Sequence, residues 1–269
     1  MFDTAVSHAM LRDVATGARG ESLRLYAPDD ALLFSSLDAR RPGYPRAVEL
    51  AREAGYEPVT RLAGGHAAVF LRESVAFAWA SADPTAHLHI QPRFERLTGW
   101  IVDALRRLGL DARVGEVPGE YCPGEYSVNI GGKVKVMGVG QRVIRGGAHV
   151  GGVLTVGQTA PLREILIPVY EALELEFRPE TAGGVADYDA GLTPNRVIRA
   201  LIEAVEATGY ACESATFDER LESAAEALVP LHGARPVRNP GAALRAASGG
   251  KAILNPGAER DSGPPRSSR

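Results

Sequence analysis

Cysteine is nearly absent from this chain: Cys122 and Cys212 are the only two among 269 residues. Two cysteines build no disulfide framework, and each is better read as a reactive or a buried thiol. Long apolar runs are missing as well, none approaching the roughly 18 residues that a membrane-spanning helix needs. No block of one charge stands out. Thirty Lys and Arg are spread among 33 Asp and Glu for a formal net charge of −3, which argues against nucleic-acid or membrane-surface partners. The first residues carry Asp3, His8 and Asp13, where a signal peptide would have a basic start and an apolar core. These absences predict a soluble, cytoplasmic protein, and the length allows one large domain or one domain with a small appendix.

What is present reads as alternating helices and short strands. Ala5, Met10, Leu11 and Val14 mark an amphipathic helix over 3–16. LRLY and ALLFSS read as two strands with Pro28-Asp29-Asp30 as the turn between them. A helix over 46–54 stops at Gly55, and strands follow at 57–62, 67–71 and 75–82 around Ala63-Gly64-Gly65-His66. The clearest helix runs over 94–108, where Leu97, Trp100, Ile101, Ala104, Leu105 and Leu108 recur at steps of three and four before Gly109. Strands are expected near 111–117, 126–130, 135–139 and 150–156, then helices at 161–173 and 194–208. The pattern predicts an α+β fold, a mixed sheet with packed helices. Residues 1–222 are expected to form the catalytic domain with short C-terminal helices. Residues 223–269, where Gly, Pro, Arg, Ser and Ala come to dominate, are expected to be a mostly disordered tail.

The chemistry concentrates in EYCPGEYSVNIGGKVKVMGVGQR, residues 120–142. Cys122 sits on a Pro-Gly turn, followed by a strand, a Gly131-Gly132 turn and a return strand carrying Lys135. A nucleophilic thiol must have its pKa lowered by nearby positive charge or backbone donors. Lys135 would be that cation if the two strands pair. The other reading of Cys122 is a small buried hydrophobe. Strict alternation puts Lys133, Lys135 and Met137 on one face, and the residues alone favour Lys135 as an edge-strand lysine that discourages aggregation. In RLAGGH, Arg61 is suited to pair with a carboxylate or phosphate, and Gly64 and Gly65 let a ligand approach the backbone. His66 is a tempting base without a local partner. His87 and His89 lack a third ligand, so no metal is assigned. Cys212, in GYACESA, reads as inert and helical.

These segments together resemble the biotin/lipoate protein ligase superfamily, nearest the cysteine-dependent octanoyl and lipoyl protein transferases beside lipoate–protein ligase A. That branch carries R-x-S-G-G-x-A-V, Y-C-P-G-[D/E]-[Y/F] and G-K-K-x-x-G-x-x-Q-R-R in this order. The resemblance covers about 3–208 and implies the α+β catalytic-domain fold of that superfamily. It puts Cys122 on the nucleophile, Lys135 on the catalytic lysine, and Arg61, Gly64 and Gly65 on the loop lining the acyl site. His66, Gly138 and Gln141 join the substrate-binding set. Ala63 replaces the loop serine and Val143 the second arginine. One extra residue between Gly132 and Gly138 leaves Lys133 as the alternative to Lys135.

The implied activity is transfer of an octanoyl or lipoyl group through a Cys122 thioester onto the lysine of a lipoyl domain, with no cofactor. Implied partners are the glycine cleavage H protein and the acyltransferase subunits of 2-oxoacid dehydrogenases. The alternatives are an ATP- and Mg-dependent lipoate–protein ligase forming a lipoyl-adenylate, and an inactive lipoyl-domain binding protein. A medium-chain acyl group is expected to lie in a tunnel lined by residues such as Val69, Phe77 and Trp79.

Overall fold

The computed structural model describes residues 1–157 and 159–234, together with a strand at 253–257. In chain order the elements begin with α1 (Phe2–Ala15), β1 (Ser22–Tyr26), β2 (Ala31–Phe34), α2 (Tyr44–Glu53), β3 (Glu57–Thr60), β4 (Ala68–Phe70) and β5 (Ser74–Ala82). The middle of the chain forms α3 (Ile90–Arg107), β6 (Ala112–Val114), β7 (Val128–Ile130), β8 (Val134–Ile144) and β9 (Gly147–Thr155). It closes with α4 (Thr159–Ala172), α5 (Pro194–Ala207), β10 (Ala211–Ala215), α6 (Glu219–Leu228) and β11 (Ile253–Gly257).

Two sheets result. The larger runs β10-β11-β1-β5-β9-β8-β7-β6, and the smaller runs β3-β2-β4. Pairing in the larger sheet is antiparallel, whereas β2 lies parallel to β3 and antiparallel to β4. This is the expected α+β class with a mixed sheet. The strands β1 and β2, separated by Pro28-Asp29-Asp30, are not partners: that turn carries the chain from one sheet to the other.

The face of the larger sheet under α3 and α5 is the main core. Leu97, Trp100, Ile101 and Leu105 of α3 pack there on Phe77, Trp79, Val136, Met137 and Val150. Each large apolar side chain so buried contributes about 2 kcal/mol. Helices α2 and α4 cover the smaller sheet, and α1 packs with α6 near Ala80. Helix α5 starts at Pro194 with the Thr193 hydroxyl accepting from the Arg196 N–H, and the Asp218 carboxylate caps α6 through the Leu221 N–H.

The structure bears on four sequence expectations. Cys212 lies in strand β10, not in a helix. The boundary expected at 222/223 falls inside α6, because Leu221, Ala225 and Leu228 continue one apolar face against α1. Of the expected tail, β11 pairs through its backbone with β1 and β10, and residues 235–252 and 258–269 lie outside the described residues. Finally, the alternation expected for β8 is broken. Asn129 pairs with Lys135 but Val128 with Met137, a bulge that inserts Val136. Val136 and Met137 both join the core under α3, while Lys135 faces the other way, toward Cys122.

Candidate active site

Cys122 occupies the turn between β6 and β7 with φ +43, the left-handed region that a side chain rarely adopts. Its backbone is held from both sides. The Cys122 N–H donates to the Tyr170 hydroxyl at 2.8 Å, and that hydroxyl donates to the Ala67 carbonyl at 2.8 Å. The Cys122 carbonyl accepts from Lys135 Nζ at 2.8 Å.

Lys135 is not an edge residue. Its side chain is 1% exposed, and its backbone bridges to Ala182 on the neighbouring segment. Nζ donates to Glu120 Oε1 and the Tyr121 carbonyl at 2.9 Å each, besides the Cys122 carbonyl. An ammonium has three protons, and all three are engaged. Glu120 is also buried and draws the turn together, accepting from the N–H groups of Val117 and Gly124 and from the Ser127 hydroxyl. Lys133, by contrast, is exposed on the turn between β7 and β8.

The thiol faces the glycine loop. The His66 N–H donates to Sγ at 3.1 Å, and Arg61 Nη1 lies 3.6 Å from Sγ while donating to the His66 carbonyl at 2.7 Å. Burial pushes the Cys122 thiol up, but the charges of Arg61 and Lys135 and the His66 N–H outweigh it and bring the thiol below its ordinary range. Gly65 permits this approach. It sits at φ +100, and a Cβ there would lie 2.8 Å from Sγ and 3.1 Å from Arg61 Nη1.

His66 is not without a partner: its Nδ1 lies 2.9 Å from Asp38 Oδ1. Asp38 is fully buried, and its other oxygen accepts the Ser35 N–H at 2.8 Å.

Between the two sheets, Cys122 opens into a pocket. Its walls are mainly apolar, with Leu33, Ala68 and Phe70 from the smaller sheet facing Phe77, Val139 and Val153 of the larger. Glycines pave the larger sheet here: Gly138, Gly151 and Gly152. A Cβ on Gly152 would lie 2.8 Å from Phe77 Cζ and would collide with the Gly138 carbonyl. His149, Ser7 and Tyr26 add polar groups. His149 is buried, with neither ring nitrogen hydrogen-bonded among the described residues, and burial lowers its pKa to about 4, so the ring is neutral at physiological pH.

Of the residues singled out in the sequence, Cys122, Lys135, Arg61, Gly65 and His66 converge, and Gly138 lines the pocket. Gly64 is exposed, and a Cβ there would meet nothing within 4 Å. Gln141 lies away from the pocket: its amide oxygen accepts from Arg93 Nε at 2.7 Å and its nitrogen donates to the Ile90 carbonyl, tying β8 to the start of α3. Among the three residues expected in the tunnel, Phe77 borders it. Val69 is buried beneath α2 and α4, and Trp79 is buried beneath α3 with its indole N–H on Glu21. Asp38, Glu120 and Tyr170 were not found in the sequence. Glu120 had a signal, a carboxylate two residues before the cysteine.

The chain belongs to the lipoyl protein ligase A/B catalytic domain family, whose model matches residues 1–205. It is 29% identical over 168 residues to the octanoyl-[GcvH]:protein N-octanoyltransferase of Geobacillus kaustophilus, covering 62% of this chain and 59% of that protein. The match to the enzyme of the same name from an Exiguobacterium species is 33% over 158 residues, covering 58% of this chain and 56% of that protein. The chain thus matches less than two thirds of the length of these relatives. A crystal structure of lipoate-protein ligase A bound with ATP shares the fold, with a TM-score of 0.68 at 21% identity over 85% of this chain and 89% of that one. No helix among the described residues is long and apolar enough to cross a membrane.

Proposed function

We propose that this chain is a protein acyltransferase that moves an octanoyl or lipoyl group between lipoyl-type carrier domains through a thioester on Cys122. The observation that carries this reading is the thiol itself, acidified by Arg61, Lys135 and the His66 N–H at the wall of an apolar pocket. Both relatives described above are named for octanoyl transfer from GcvH, and the glycine cleavage H protein is accordingly the donor proposed here. Acyltransferase subunits of 2-oxoacid dehydrogenases are the proposed acceptors.

In the first half-reaction the Cys122 thiolate attacks the carbonyl carbon of the N-acyl-lysine. The C–S bond forms, the C–N bond breaks, and the donor lysine leaves with a proton as the free amine. In the second half, an acceptor lysine amine attacks the thioester and expels the thiolate. No cofactor enters either half. Lys135 and Glu120 fix the turn, Lys135 lends positive charge to the thiolate, and the pocket between the sheets takes the acyl chain. An adenylate-forming ligase would leave Cys122 a bystander, a role that gives no reason for an acidified thiol.

The test is intact-mass spectrometry after mixing the protein with an octanoylated carrier domain in the absence of ATP, beside Cys122→Ala. A hydroxylamine-labile octanoyl adduct on the unaltered protein alone is the expected result. Acylation of an unmodified domain only when ATP and free acid are supplied would replace the transferase reading with the ligase.

A further inference from the structure

Transfer onto lysine needs a base, and three of the polar groups around Cys122 cannot serve. Arg61 stays protonated at any working pH. Lys135 is buried with all three N–H bonds engaged. The Tyr170 hydroxyl is committed to Ala67 and Cys122, and burial raises its pKa well above the ordinary range.

His66 differs from all of these. Its peptide N–H donates to Sγ at 3.1 Å, so the residue that carries the imidazole is itself in contact with the nucleophile. The side chain is 25% exposed, so solvent and small reagents have access to it. Its Nδ1 meets a fully buried carboxylate, and that bond fixes the tautomer: Nδ1–H donates to Asp38, and Nε2 carries the lone pair. The Asp38 carboxylate is braced in turn by the Ser35 N–H. Among the described residues, Asp38 has no Arg or Lys partner; His66 is its sole ion-pairing neighbour. A buried carboxylate orienting a partly exposed imidazole, on the residue whose peptide N–H contacts the nucleophile, is the arrangement of an oriented proton carrier.

We propose that His66, held by Asp38, is the proton carrier of the transfer, an inference that rests on the thioester reading above. As the acceptor lysine nitrogen attacks the thioester carbon, Nε2 takes its proton. The tetrahedral adduct collapses, the C–S bond breaks with its electron pair on sulfur, and the imidazolium returns the proton to the thiolate or to water. In the reverse sense, the imidazolium protonates the donor lysine as its C–N bond breaks. The step needs no further reactant.

The experiment loads Cys122 with octanoyl thiophenyl ester, a donor whose leaving group needs no proton. The acyl-enzyme is then offered either a carrier-domain lysine or hydroxylamine. A lysine amine has a pKa near 10.4 and is almost wholly protonated at neutral pH, whereas hydroxylamine is largely unprotonated there. For His66→Gln the expected result is loading and hydroxylamine release within about twofold of the unaltered protein, with transfer to lysine slowed about a hundredfold. Asp38→Asn is expected to show the same selectivity with a smaller loss. If His66→Gln transfers to lysine at the unaltered rate, or slows both nucleophiles in parallel, His66 is not the carrier. If the unaltered protein accepts the octanoyl group from the thiophenyl ester but His66→Gln does not, the imidazole serves the structure of the loop and the proposal fails. If the unaltered protein forms no thioester at all, the transfer reading itself falls, and this inference with it.

Discussion

Cys122 and Cys212 are both partly buried, one on a left-handed turn between two sheets and the other in the regular strand β10. Burial raises the pKa of each thiol, since a thiolate is poorly solvated there. At Cys122 two cations and a backbone N–H more than reverse that effect. At Cys212 the next contributor is the carboxylate of Glu206, which pushes the same way as burial. Reactivity is therefore set by what is packed against the sulfur, not by how deeply it is buried.

The sharpest break in this comparison is removal of each sulfur. Cys122→Ser should lower acyl transfer by more than about 10³-fold, because a hydroxyl there has no comparable acidity. Cys212→Ser should leave it within about twofold in the same carrier-domain assay. The next effect is steric. Gly65→Ala must place a methyl 2.8 Å from Sγ at φ +100, and transfer and iodoacetamide alkylation of Cys122 should both fall about a hundredfold as the loop withdraws. A third test is electrostatic. The pH midpoint for alkylation of Cys122 should lie below that of an ordinary thiol, and that of Cys212 above it. Lys135→Met removes a charge that favours the thiolate, so the Cys122 midpoint should rise while that of Cys212 stays. The same change leaves buried Glu120 without its cation, and urea titration should register about 3 kcal/mol of lost stability. The smallest effect is Glu206→Gln, which should lower the Cys212 midpoint slightly and leave it above that of Cys122, because burial is the larger cause there.

The sequence made the local features readable and left the distant ones hidden. Helix α3 stood out because its buried residues recur with helical period, and the cysteine turn because Pro and Gly mark turns chemically. Lys135 illustrates the limit. Strict alternation gave it the company of Met137, and only the bulge at Val136 turns the two residues to opposite faces. The partner of His66 lies 28 residues earlier in the chain, and that of the Cys122 N–H lies 48 residues later. Neither pairing has a periodic signal. Cys212 was misread because the edge pairing of β10 with β11 comes from a segment whose composition promised no strand.

Tyr170 gives the site one more property. Its hydroxyl joins the Cys122 N–H to the Ala67 carbonyl, so the turn, the glycine loop and α4 meet at a single oxygen. The acidity of Cys122 is thus a property of three segments brought together, not of its local sequence. In the unfolded chain the same sulfur is an ordinary thiol, mostly protonated at neutral pH. Its alkylation rate therefore reports whether this three-way junction is made.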